Sequence, residues 1–277
     1  MVTGVYRGQQ PDMDSLFLAE AFQNAWRGRD PFEEVLRLQG RVFREVAGRK
    51  TLSFELNGRV YFAKIHRGVG WAEIFKNLLQ GKRPVLGADS EWQAIGHLHD
   101  VGIATMTIAA CGSRGLNPAR RQSFIITEAL GPTASLENLT RAWPQDPPSH
   151  RVKVAVVKKV AEMARQMHAS GMNHRDFYIC HFLVDLSKGW PPSGGEPPTL
   201  YLIDLHRAQV RASTPRRWLV KDLGGLYFSA MDLGLTKTDL LRFVEAYAQS
   251  PLRQADPAFW RAVRRRAIRL HHQEFGR

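Results

Sequence analysis

The sequence predicts an α+β fold in two lobes: a small β-rich lobe over residues 41–130 and a larger, mainly helical lobe over residues 131–277, with residues 1–40 packed on as an added segment. Three observations carry that prediction. Short apolar runs separated by turn residues fill the first region, and helix-spaced apolar residues dominate the second. The second region also holds His174-Arg175-Asp176, set between a long helical pattern and a short apolar strand. A chain of 277 residues can bury a substantial core, and no internal repeat is visible.

Residues 41–45, 51–56 and 59–65 read as three strands. The last two are joined by Asn57-Gly58, whose residues tolerate the positive φ of a tight hairpin. Gly48-Arg49-Lys50 lies between the first two, so Arg49 and Lys50 either bind phosphate or are solvated turn residues. Lys64 closes the third strand, and the next helical stretch, residues 89–98, brings Glu91; Glu73 is a weaker rival for the same role. After a further apolar strand, residues 124–130 read as the connection between the lobes. Residues 151–170 then place Val152, Ala155, Val156, Val160, Met163, Ala164 and Met167 on one helix face, with Gly171 as the stop. Strands at 182–184 and 200–203 follow, separated by a Pro/Gly-rich loop at 187–198, and the second delivers Asp204. A further helix begins soon after Pro215 and carries Asp222, which resemblance to kinases implies as a buttress for the loop around Asp176 and which is otherwise a plain acid near a helix N-terminus.

Helix, loop acid, strand, strand and second acid stand in the order of a kinase catalytic region. In phosphoryl transfer the first acid, here Asp176, orients the acceptor hydroxyl and takes its proton, while the second, here Asp204, holds Mg²⁺ against the ATP phosphates. Lys64 held by Glu91 would neutralise those phosphates. Resemblance to kinases implies that the Glu128 carbonyl and the Leu130 N–H face the adenine edge. Each residue also has a plainer interpretation. Lys64 could be a solvated strand lysine, Glu91 an acid suited to a helix N-terminus, Asp204 a loop acid, and His174 a packed histidine bonded to backbone. Their joint order is what favours the kinase.

Several departures from ordinary protein kinases stand out. His181 occupies the position of the Mg²⁺-binding asparagine, and Leu205-His206 follows Asp204 where Phe-Gly would be expected. Since Mg²⁺ prefers oxygen ligands, His181 either ligates the metal or hydrogen-bonds a phosphate or water. No Ala-Pro-Glu follows Asp204, which favours a small or glycolipid acceptor over a protein.

The motifs Tyr61-Phe62-Ala63-Lys64-Ile65-His66-Arg67-Gly68, Pro84-Val85-Leu86-Gly87-Ala88, Tyr178-Ile179-Cys180-His181-Phe182 and Ile203-Asp204-Leu205-His206-Arg207-Ala208-Gln209 make the chain resemble the lipopolysaccharide core heptose(I) kinases of Gram-negative bacteria. The resemblance spans most of the chain. It implies ATP and Mg²⁺ as cofactors and transfer to the 4-hydroxyl of the first inner-core heptose of a lipid A-core glycolipid. It also implies work on the cytoplasmic side of the inner membrane and, through family members, acyl carrier protein as a partner. Arg175 would support the catalytic loop or bind acceptor phosphate.

Thirty-nine Lys+Arg against 26 Asp+Glu give a net charge of +13, which attracts polyanions. With no base-reading motif, nucleic acid is the weakest such partner, and an anionic membrane surface or an acidic protein fits better. The last helical stretch sets Trp260, Val263, Ala267 and Leu270 on one stripe among arginines, either an amphipathic membrane-surface helix or a helix packed on the lobe. No apolar run is long enough to span a bilayer, and residues 1–20 lack a signal-peptide pattern, so a cytoplasmic, peripheral location is expected. Cys111 and Cys180 are too few for a disulfide scaffold. Rival readings are a kinase acting on Kdo, an antibiotic or a protein tyrosine, a kinase-like scaffold binding an acidic partner, and a nucleic-acid-binding module.

Overall fold

A computed structural model describes residues 14–276 except 47, 69, 72–74, 76–78, 80–86, 118 and 192–195. Glu73 and residues 84–86 therefore lie outside the described residues, as does the middle of the 187–198 loop. Contacts group the chain into two compact units, one reaching to Gly96 and including Met106–Leu130, the other formed by His97–Thr105 and Gly131–Arg277. The first is β-rich and the second mainly helical, as the α+β reading requires.

The first unit is built on six antiparallel strands: β1 (Asp14–Leu18), β2 (Arg41–Val46), β3 (Arg49–Leu56), β4 (Arg59–His66), β5 (Ile108–Arg114) and β6 (Gln122–Glu128), in the spatial order β1-β5-β6-β4-β3-β2. Asn57 and Gly58, at φ +52° and +73°, form the two-residue turn between β3 and β4, the positive-φ pair that matches strand twist in a hairpin. Two short helices, α1 (Glu20–Ala25) and α2 (Pro31–Arg37), contribute Phe22, Trp26, Phe32 and Val35 to one apolar core with Leu52, Tyr61, Phe124 and Ile126 of the sheet. Asp30 caps α2 by accepting from the Phe32 N–H at 2.9 Å, with Pro31 at the first helical position. The Arg114 guanidinium beside Asp30, together with that backbone bond, holds its carboxyl below the usual range. The segment 14–40 thus contributes a strand to the sheet and side chains to its core. The helix α3 (Asp89–Asp100) begins in this unit and carries Glu91 in its first turn.

In the second unit α5 (His150–Ala169) follows a short helix α4 (Leu136–Thr140). Helix α5 buries Val152, Val156, Val160, Met163, Ala164 and Met167, whereas Ala155 is only half-buried at the edge of the face. It stops at Gly171, whose φ of +87° and whose missing Cβ, which would lie 1.9 Å from the Arg211 carbonyl oxygen, both require glycine. Three small ladders follow: β7 (Thr133–Ser135) pairs with β9 (Phe182–Asp185), β9 with β10 (Leu200–Leu202), and β8 (Met172–Asn173) with β11 (Gln209–Val210), all antiparallel. The β9–β10 register, Phe182 opposite Leu202, brings the stretches around residues 176 and 204 to one end of a hairpin.

Helices α6 (Arg216–Ala230), α7 (Lys237–Ala248) and α8 (Pro257–Phe275) complete the unit. Helix α8 packs on α6 and buries Phe259, Val263 and Ala267, so its apolar stripe is used inside the unit; of the two alternatives for this helix, the packed one holds. Among the described residues no helix is long and apolar enough to cross a membrane. Both cysteines are free.

Candidate active site

In the first unit, Lys64 lies on β4 between β3 and β6, opposite Thr51 and Ile125. Its Nζ donates to Glu91 Oε1 at 2.6 Å, and Glu91 is only 2% exposed. Glu91 is carried by the first turn of α3, which is fastened to β6: the Ala88 N–H donates to Ser123 Oγ at 3.0 Å, and Arg121 bonds Asp89 at 2.9 Å. The approach is close enough that a Cβ on Gly87 would lie 2.6 Å from Ser123 Oγ. Glu128 ends β6 opposite Tyr61 with a half-exposed side chain near Arg59, and Leu130 follows, half-buried. Gly48, at φ +76°, turns the β2–β3 connection against residues 67–68, because the Arg67 N–H donates to its carbonyl at 2.8 Å. Arg49 is then the first residue of β3, opposite His66, and half-buried.

In the second unit the catalytic-loop candidate hangs on a buried acid. Asp222 of α6, fully buried, accepts the His174 N–H at 2.6 Å and the Arg175 N–H at 2.9 Å. Those bonds hold Arg175 in a left-handed conformation, φ +76°, which costs on the order of 1–3 kcal/mol in a non-glycine residue unless its surroundings enforce it. His174 is fully buried, and its Nε2 donates to the Ile203 carbonyl at 3.0 Å. Burial depresses its pKa, so it stays a neutral imidazole with Nδ1 as a bare lone pair. That placement makes His174 a brace between the loop and the residue preceding Asp204, out of reach of a substrate; the His-Arg-Asp motif groups it with the catalytic residues, and its burial gives it a positioning role instead. Further on, the Ile179 N–H donates to Ser229 Oγ at 2.8 Å, tying the loop's far end to the same helix.

Asp176 is half-buried, and both its oxygens meet Arg207 Nη1, at 2.7 and 3.1 Å. His181 stacks on His174 with ring centroids 5.7 Å apart, and its Nδ1 lies 2.7 Å from the Asp176 carbonyl. A carbonyl only accepts, so Nδ1 carries the hydrogen and Nε2 presents a lone pair. That lone pair faces Asp204 Oδ2 at 3.5 Å. The other oxygen of Asp204 is taken by His206 Nδ1 at 2.6 Å, and the residue itself is left-handed at φ +63°. Asp204 offers the carboxylate oxygen that Mg²⁺ prefers and His181 Nε2, beside it, a nitrogen less usual for that ion, so the donor set fits Mg²⁺. Among the described residues no larger cluster of His, Cys, Asp or Glu has metal-binding geometry.

The structure thus brings Lys64 to Glu91 in one unit, and Asp176, His181, Asp204, His174 and Arg175 together in the other. Arg49 begins β3, Glu128 ends β6 and Leu130 follows two residues later. Two residues that were overlooked matter here: Arg207, which holds the Asp176 carboxylate, and His206, which holds Asp204. Their only signal was proximity in sequence to the second acid; their direction depends on the β9–β10 hairpin register.

A family model described as the lipopolysaccharide kinase (Kdo/WaaP) family matches residues 33–247. The chain is 56% identical over 239 residues to the lipopolysaccharide core heptose(I) kinase WaaP of Pseudomonas aeruginosa, covering 86% of this chain and 88% of that protein. It is 53% identical over 238 residues to the like-named kinase of Escherichia coli strain K12, with 86% and 88% covered. A solved structure of WaaP in complex with acyl carrier protein superposes with a TM-score of 0.81 at 48% identity, covering 93% of this chain and 99% of the other.

Proposed function

The chain belongs to the lipopolysaccharide kinase (Kdo/WaaP) family, and from that premise we propose that it transfers the γ-phosphoryl group of ATP to the 4-hydroxyl of the first heptose of the lipopolysaccharide inner core. The observation that carries the chemistry is Asp176, a half-buried carboxylate oriented by Arg207 in the same unit as the Asp204–His181 pair.

In this reading Asp176 accepts the proton of the heptose hydroxyl as its oxygen bonds the γ-phosphorus. The bond from that phosphorus to the ADP oxygen breaks in line, and ADP leaves. Asp204 and His181 would hold Mg²⁺, which when bound neutralises charge on the phosphates. Lys64, kept in place by Glu91, orients the phosphates, and residues 128–130 would bind the adenine edge. His206 and His174 keep Asp204 in its strained conformation, and Asp222 does the same for the catalytic loop. The reaction belongs on the cytoplasmic side of the inner membrane, with the enzyme at its surface. The test is incubation with ATP, Mg²⁺ and core glycolipid stripped of heptose phosphate, followed by NMR mapping. Phosphate at the 4-position of the first heptose is expected; phosphate elsewhere, or on protein tyrosine alone, would replace this reading.

A partner reading has its own observation. The second unit encloses an apolar cavity of about 520 Å³ lined by Val156, Val160, Leu226, Phe243, Trp260 and Val263 among others. An acyl carrier protein, acidic and bearing an apolar chain, suits both this cavity and the chain's positive charge. Acylated carrier protein should raise the melting temperature more than the unacylated form; equal effects would remove the cavity from the interaction.

A further inference from the structure

Asp222 reaches beyond the catalytic loop. Its Oδ1 accepts the Arg175 N–H and its Oδ2 the His174 N–H, and Oδ2 also has His168 Nε2 at 3.4 Å. His168 is buried near the end of α5, and its other nitrogen, Nδ1, lies 2.8 Å from the hydroxyl of Tyr247 on α7. The Tyr247 ring stands edge-on to the imidazole, with centroids 5.8 Å apart. It is fixed in turn by stacking on Phe243 at 6.2 Å and by an edge contact with Trp260 at 5.6 Å. Three helices, α5, α6 and α7, thus meet at one buried carboxylate through a tyrosine, a histidine and an aspartate. The ends of this chain set its polarity. A carboxylate only accepts, so His168 Nε2 carries a hydrogen. Burial, and after it the Asp222 charge, raises the Tyr247 pKa, so the phenol keeps its hydrogen for donation to Nδ1. A fully buried carboxylate needs donors on its lone pairs, and His168 adds a third to the two loop amides. The imidazole also touches the loop directly: its ring lies 5.9 Å from that of Phe177, the fully buried residue after Asp176.

We propose that His168 and Tyr247 are positioning residues for phosphoryl transfer: by donating to Asp222 and packing on Phe177 they fix the backbone on both sides of Asp176, so that its carboxylate meets the acceptor hydroxyl. The inference rests on the acceptor reading above, which makes Asp176 the proton acceptor. A buried histidine that only filled space would be replaced best by leucine. One that donates to Asp222 and accepts from Tyr247 is replaced best by glutamine, whose amide offers both a donor and an acceptor.

The experiment compares wild type with H168Q, H168L and Y247F in transfer to the core glycolipid. Y247F removes the hydroxyl and keeps the ring, so the packing on Phe243 and Trp260 stays. kcat should fall about tenfold or more in H168L, the loss of a bond to a charged group, and about threefold in Y247F, the loss of a neutral one. H168Q should stay within about threefold of wild type. KM for ATP and for the acceptor should hold in all three, which also reports that the variants are folded. A kcat in H168L equal to or above that of H168Q, losses that appear in KM for ATP, or an unchanged kcat in Y247F would each overturn the assignment. If H168L does not fold, the division between kcat and KM in Y247F decides alone. If wild type phosphorylates no core acceptor, it is the acceptor reading that fails, and hydrogen exchange at the His174 and Arg175 amides still decides the positioning. Faster exchange in H168L and Y247F than in wild type and H168Q upholds it, and one rate in all four proteins refutes it.

Discussion

Lys64 and Asp176 are held in place by different kinds of structure. Lys64 sits inside a ladder, with a strand on either side, and bonds Glu91, delivered by one turn of helix. Asp176 sits in a loop of irregular backbone, held by separate hydrogen bonds from or to Asp222, His174, His181, Ser229 and Arg207. The strand needs no side chain to place its lysine, because register and alternation do so. The loop needs them all, and two of its residues, Arg175 and Asp204, carry left-handed backbone that the bonds must sustain. Charge placed by a ladder tolerates change nearby; charge placed by a mesh does not.

Four substitutions or reagents probe that contrast. The largest effect should come from Asp176→Asn, which removes the proton acceptor while leaving the hydrogen-bonded loop intact; kcat should fall by roughly 10²–10⁴-fold, read by phosphate transfer. Retention of most of the activity would take the base role from Asp176. Asp222→Ala leaves two buried N–H groups without acceptors and should cost about 2–5 kcal/mol of stability, measured by urea unfolding, with activity lost in the protein that remains folded. A loss below about 1 kcal/mol would mean that the loop supports itself. Glu91→Gln keeps a hydrogen bond but not the charge, so kcat/KM for ATP should drop about tenfold with little change in loop chemistry. An effect as large as that of Asp176→Asn would erase the distinction between the two regions. Smallest of all, alkylation at pH 7 should leave activity unchanged. Burial pushes the Cys111 thiol up to about 12 and also raises that of half-buried Cys180, so neither is a thiolate at that pH. Because the folded-state value of Cys111 lies above that of an unfolded thiol, its contribution to stability is present below about pH 9 and is lost as the pH rises past it. Rapid inactivation by iodoacetamide in the native state would contradict this.

The same contrast explains what could be read from the sequence. The Asn57-Gly58 hairpin, the Lys64 strand and the helix ending at Gly171 follow from local rules, and the structure places their boundaries within about two residues of expectation. The participation of Phe22, Trp26 and β1 in the sheet and its core depends on pairing across the whole unit, and no local pattern indicates it. At the site, acids were recognisable by order, and Asp222 by its place on the following helix. The direction of Arg207 and the burial of His174 were not legible, since both depend on how β9 and β10 pair and on where α6 packs.

The central claim is a division of labour, with Lys64 binding nucleotide and Asp176 driving transfer. Calorimetric titration of Mg·ATP into the Lys64→Ala and Asp176→Asn proteins tests it most directly. The account predicts ATP affinity near wild type for Asp176→Asn and affinity reduced about tenfold or more for Lys64→Ala, as expected for loss of a charge-assisted contact. Equal affinities in the two variants, or the reverse order, would contradict it.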